Sequence, residues 1–363
     1  NKMKKVLLIF TLLGLTTLIV SGQKPQLSFF NEMESKPLGE LFKDTTIIPQ
    51  LQKLHAEIRM GILDTGVERV AVIKQLNQAN IPVVSWLLLP KEKGYWFHSK
   101  NGPAAIERYH QIRDWAKRND LKFSGMGLDL ELDINDITLA KEHKFKLLID
   151  IIKRLYDKDR VIAGRKIYQG LIDEIRQDGF KVESYFVPFI RYENEKGNTA
   201  LQQVSGFLDI KTDKDIPMLY SSFMGNSFGL FTVLAKEQGL KAVAIGSTGG
   251  GFDTTLPTMQ WKHLEYDMKF ASSFANEIHI FSLEGAVQKR FLSKINEINF
   301  KEPFENRNEE IKKVNDLKST VLTVSSILSH PTILLVSLLI ILTLIIWLFV
   351  YLIKKMITRF KKQ

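Results

Sequence analysis

Between residues 23 and 300 short apolar runs alternate with longer amphipathic ones about eight times, a pattern that few folds accept. The spacing predicts strands over 27–30, 58–63, 83–89, 125–132, 182–188, 217–222, 242–246 and 278–283. Helical patterns fill 49–56, 67–79, 104–118, 139–156, 165–177, 200–207, 228–238, 260–275 and 286–298. Asn80, Asp120, Gly179 and Gly239 sit where helices should stop before the next strand. The strands are apolar along their whole length, as parallel strands covered by helices require. Strand then helix, repeated in this way, predicts an α/β fold, a (β/α)8 TIM-like barrel. A doubly wound open sheet alternates similarly and is the competing architecture.

The two ends of the chain constrain where the barrel resides. Residues 332–353 carry no charge and are dominated by Leu, Ile and Val. As a helix they span about 33 Å, enough for a hydrocarbon core of about 30 Å. Trp347 and Tyr351 fall near one interface, and Lys354, Lys355, Arg359, Lys361 and Lys362 follow, so the tail is expected on the cytoplasmic side. At the other end Lys2, Lys4 and Lys5 precede an apolar stretch over 6–20, then Ser21 and Gly22. That order is expected of a signal peptide, or an uncleaved signal anchor, over 1–22. The expected organisation is a barrel ectodomain over 23–298 and a charged juxtamembrane stalk over 299–331. A transmembrane helix over 332–353 and a basic cytoplasmic tail over 354–363 complete it. The sequence has no cysteine, so a disulfide framework is excluded and the core alone must hold the domain. The formal charge of +10 lies largely in the flanking clusters, and no basic stripe with interleaved aromatics points to nucleic acid. A lipid bilayer and a carbohydrate are the expected partners.

In such a barrel, chemistry belongs at the C-terminal ends of the strands. The densest cluster is on the fourth, where Asp129, Glu131 and Asp133 alternate with Leu128, Leu130 and Leu132. Strand periodicity puts the acids on one face, pointing inward, and the leucines on the other. Carboxylates inside a barrel are costly to hold, and like charges at this spacing push their pKa values apart. One can then stay protonated as a general acid while another ionises. Glu131 is expected to keep its proton near neutral pH, and the deeper Asp129 to stay charged or orient a substrate.

The Asp129-x-Glu131 pair resembles the core motif of the family 18 chitinase-like glycoside hydrolases. Met218-Leu219-Tyr220-Ser221 is similar to that family's Met-x-Tyr-Asp. The resemblance implies that Glu131 is the acid, that Asp129 supports a substrate acetamide and that Tyr220 contacts it. The chain departs from the family pattern at Ser124, Gly127 and Ser221, where the family has Asp, which bears on proton relay and on activity itself.

Elsewhere, Glu284 is the one well-placed second carboxylate, as a catalytic group or as an acid favoured by a helix N-terminus. The loop over 91–98 brings Tyr95 and Trp96 together in a position expected to be exposed, where they could stack on sugar rings or cap the barrel. Trp86, within the third strand, is expected to line the floor. The run from Gly246 to Gly251 either cradles a phosphate or lets backbone pass close to a ligand. The seven histidines do not cluster by spacing, so no metal and no cofactor is expected. The residues favour a membrane-anchored glycoside hydrolase-like enzyme acting on an extracytoplasmic glycan. The alternatives are a non-catalytic carbohydrate-binding barrel displayed on the membrane, and a scaffold acting through its membrane helix.

Overall fold

Eight parallel strands close into a barrel in chain order, β1 pairing with β8 through Phe29 opposite Ile280. The computed structural model describes residues 24–224, 232–251, 257–305 and 307–360. The strands are β1 (Gln26–Asn31), β2 (Glu57–Ile62), β3 (Val83–Leu87), β4 (Gly125–Leu130), β5 (Val182–Phe186), β6 (Lys214–Leu219), β7 (Ala242–Gly246) and β8 (Glu277–Phe281). The closed order excludes the doubly wound sheet.

Alternation along each strand divides the apolar residues into two cores. Outward residues such as Phe29, Ile58, Met60, Met126, Leu128, Leu130, Val243 and Ile280 pack beneath the helices. Inward residues, among them Phe30, Trp86, Tyr185, Ile216 and Ala244, form a separate cluster inside the barrel. Both faces are therefore largely buried, which is why most strand positions read as apolar.

The connecting helices are α1 (Ser35–Leu41) and α2 (Ile47–Leu54), α3 (Val67–Gln78), α4 (Gly102–Arg118), and α5 (Ile134–Glu142), α6 (Lys144–Arg154) and α7 (Lys158–Gln177). Then come α8 (Phe189–Glu195) and α9 (Ala200–Ser205), α10 (Thr232–Gln238), α11 (Trp261–Ala271), α12 (Leu283–Gln288) and α13 (Phe291–Asn296). Asn80, Asp120, Gly179 and Gly239 all adopt positive φ, the left-handed conformation that ends a helix. Two expectations change. The segment 139–156 is broken at His143 into α5 and α6, and 286–298 is broken into α12 and α13. Neither α1 nor α8 was expected from the apolar spacing.

After the barrel, α14 (Asn308–Leu328) lies along α8, α9 and α10. Its Val314 is buried, Lys318 sits 4.1 Å over the Tyr192 ring, and Ser325 donates a 2.5 Å hydrogen bond to Glu193. The last helix, α15 (Pro331–Phe360), leaves the barrel. Its segment Pro331–Tyr351 is long and apolar enough to cross a membrane, and none of it is buried. The expected signal segment over 1–22 lies outside the described residues.

Candidate active site at the barrel mouth

At the C-terminal end of β4 the chain holds its acids with help from the β3–α4 loop. Phe97 N–H donates to the Asp129 carbonyl at 2.8 Å, and Glu131 N–H donates to the Phe97 carbonyl at 3.2 Å. This local parallel bridge carries the strand geometry one residue past β4, so Glu131 keeps the inward direction of Asp129. Asp129 is buried and Glu131 half-buried, which puts Glu131 nearer the opening. Trp86 lies inside the barrel, where its indole N–H donates to Asp129 Oδ2 at 3.1 Å. Beneath, Trp86, Phe30 and Tyr185 meet edge to face, with centroids 4.8–6.1 Å apart.

Burial raises both carboxyls. Glu131 is pushed up to about 7. Asp129 rises well above its ordinary value, from burial first and then from the charges of Glu131 and Glu32. The two carboxyls lie close enough to influence each other's ionisation. They titrate as one pair, which retains a proton at neutral pH. Asp129 is the deeper of the two, and burial acts against the expectation that it stays charged. No ion pair to either acid forms among the described residues.

Gly127 marks a departure from the family pattern, and the structure supplies the reason. A Cβ there would lie 2.2 Å from the Tyr185 hydroxyl. The phenol reaches across from β5, donates to Glu183 at 3.3 Å and fills the space over Gly127. Ser221, another departure, donates instead to Asp267 on α11 at 2.6 Å.

A third inward acid, Glu32, was missed because the first strand was expected to end at Phe30. The pairing of β1 in fact extends to Asn31, and Ser28, Phe30 and Glu32 share one face. The same period-two argument that found Glu131 would have found it. Tyr95 donates to Glu32 at 2.5 Å, and burial followed by this acid raises the Tyr95 hydroxyl far above its ordinary value. Glu284 lies in the first turn of α12 and accepts from Asn31 Nδ2 at 2.9 Å and from the Glu32 N–H at 3.2 Å. Burial pushes it up to about 7 against those hydrogen bonds. Tyr220, just past β6, is half-buried beside Phe281 at 5.5 Å. Burial, then the charges of Asp129, Glu131 and Glu32, raise its hydroxyl.

Two expectations fail here. Asp133 does not continue the inward row: it is the N-cap of α5, accepting from Asn135 N–H at 3.0 Å, with Lys100 at 3.2 Å. Burial pushes its carboxyl up, but Asn135, His98 and Lys100 outweigh this and bring it below the ordinary range. Tyr95 and Trp96 are buried, not exposed, because the Phe97 bridge draws their loop onto the barrel. They meet edge to face at 5.0 Å.

After β7 the backbone amides of Ser247, Thr248 and Gly249 are engaged by Ser222, the Phe281 carbonyl and Ser247. These amides are thus not presented to a phosphate. Close approach is the better account of the glycines, since a Cβ on Gly251 would meet Glu32 at 2.7 Å and one on Gly250 would meet Glu284 at 2.5 Å. Among the described residues no group of three or more His, Asp or Glu could hold a metal ion.

No protein-family model and no curated protein matches the sequence. Solved structures do match in outline. One is the GH18 chitinase ChiB of Flavobacterium johnsoniae, 13% identical, with 76% of this chain and 94% of that one covered and a TM-score of 0.44. Another is a D-allulose 3-epimerase from Methylomonas sp., 12% identical, with 83% and 100% covered and a TM-score of 0.40. A Rhizomucor miehei beta-1,3-glucanosyltransferase is 10% identical, with 70% and 86% covered and a TM-score of 0.39. These likenesses are of barrel outline and assign no reaction to this chain.

Proposed function

We propose that the barrel is a glycoside hydrolase-like enzyme acting on an extracytoplasmic glycan, held at the membrane by α15. The observation that carries this reading is the pair of acids Asp129 and Glu131 on one inward row at the end of β4, with Trp86 donating to Asp129. Glu131, the more accessible member, delivers the proton to the departing glycosidic oxygen. Burial beside Asp129 keeps this donor charged with a proton near neutral pH. Tyr220 offers a hydroxyl to a polar substituent of the sugar, an acetamide if the substrate carries one. Glu284 is the second carboxyl available to stabilise charge or activate water. Trp86 fixes Asp129 from below, while Tyr95 and Trp96 wall the site rather than stack on sugar from an exposed loop. The expected topology puts the barrel outside the cytoplasm, because the basic cluster after residue 353 favours the inner side.

A non-catalytic sugar-binding barrel is the second reading, favoured by Tyr185 and Asp267 occupying the surroundings of Gly127 and Ser221. Hydrolysis of amino-sugar and neutral glycans by the full chain, wild type against Glu131→Gln, separates the two. The enzyme reading expects glycan binding to persist and turnover to fall about 10²-fold or more. Equal turnover removes Glu131 as the acid, and binding without turnover in the wild type establishes the binding module.

A further inference from the structure

Helix α6 has an apolar face that the barrel leaves uncovered. Phe145, Leu148, Ile149 and Ile152 recur at helical spacing, and Tyr156 continues the line past the helix. Phe145 is 75% exposed and Leu148 52%, in a protein whose other large apolar side chains before α14 are, with few exceptions, covered. Leu147 and Ile151, on the opposite face, are half-buried, so the helix is seated the right way round and the stripe faces outward. Lys144, Lys146 and Lys153 flank the stripe on both sides, while Asp150 turns toward the protein side. An apolar stripe edged by lysines suits the headgroup boundary of an anionic bilayer, where the rings and aliphatics sink and the ammonium groups stay with the phosphates.

The position of α6 in the fold selects that occupant over another protein. Helix α6 packs on α9, and α9 packs on α14. The Ser325–Glu193 hydrogen bond pins the end of α14 to α8, next to α9. From Ser325 to the start of α15 at Pro331 is six residues, about 9 Å if helical. The side of the barrel that carries α6 is thus tied close to the point where the apolar helix begins. Val324 and Ile327, exposed at the end of α14, add apolar surface at the same place.

We infer that α6 is a second membrane contact, lying in the interface of an anionic bilayer and fixing the orientation of the barrel on the membrane. This inference rests on α15 being a membrane anchor. The absence of native cysteine makes it directly testable on the full chain. Single nitroxide labels are placed through Leu148→Cys, Val67→Cys on α3 and Leu344→Cys on α15, in vesicles of phosphatidylethanolamine and phosphatidylglycerol. Collision with oxygen, which partitions into lipid, is compared with collision with a water-soluble nickel chelate. Labels at 148 and 344 should favour oxygen and the label at 67 nickel. Adding Lys144→Glu, Lys146→Glu and Lys153→Glu should remove the oxygen preference at 148 and leave that at 344. A label at 148 that favours nickel while 344 favours oxygen overturns the inference alone. Shielding of 148 from both reagents, with spin–spin broadening, overturns it in favour of a second copy of this chain. A label at 344 that favours nickel overturns the anchor as well.

Discussion

The floor and the mouth of this barrel bury charge in opposite ways. At the floor, Arg59 lies fully buried between Glu183 at 2.8 Å and Glu57 at 2.6 Å, and Lys214 links Glu183 to Glu277 at 2.6 Å. Acid meets base there, and His279 beside them is held neutral by burial and by the nearby Arg59 and Lys214 charges. At the mouth, Asp129, Glu131 and Glu284 lie close to other acids and form no ion pair with Lys or Arg among the described residues. Burial is relieved there by keeping protons instead of by pairing charges. The first arrangement stabilises a fold. The second raises the energy of ionised groups, a pattern that marks a candidate functional site.

Removing the base from the floor should give the largest effect. Arg59→Met leaves Glu183 buried without the guanidinium that donates two hydrogen bonds to it, and is expected to destabilise by about 3–5 kcal/mol. Chemical denaturation measures it, and a loss no greater than that of an exposed arginine such as Arg113 would erase the contrast between the two ends. Gly127→Ala, between the two layers, forces Tyr185 to move and should cost about 1–3 kcal/mol. Adding Tyr185→Phe should recover part of that loss, and strict additivity would show that the phenol does not fill the space over Gly127.

Much of the barrel was legible because the outward face of the strands is apolar and most inward positions are buried, and because the helix stops are marked by residues that tolerate positive φ. Helix α8 was not legible: Phe189–Glu195 is short and largely polar, and it gains its stability from packing against α9 and α14. For the site, period-two alternation put Asp129 and Glu131 on one face of β4 and its extension, and it failed at Asp133, where the strand had ended and a helix cap began. Exposure of Tyr95 and Trp96 was misjudged because the Phe97 bridge that buries them is a long-range backbone contact without a local signal. How far the two acids are raised depends on depth and, for Asp129, on the neighbouring charges of Glu131 and Glu32, which are set by the closed barrel.

The central claim, that Glu131 is held in the mouth as a proton-keeping acid, is tested most directly by stability against pH. A carboxyl whose folded pKa is raised from 4.5 to about 7 contributes stability below its unfolded pKa and loses it as pH rises through the folded value. Glutamine cannot ionise and escapes that loss. Melting temperatures of wild type and Glu131→Gln, measured from about pH 5 to about pH 9, should therefore diverge in favour of the variant as pH rises, levelling off above about 7. Curves that stay parallel across this range, or that diverge in favour of the wild type, would contradict the account.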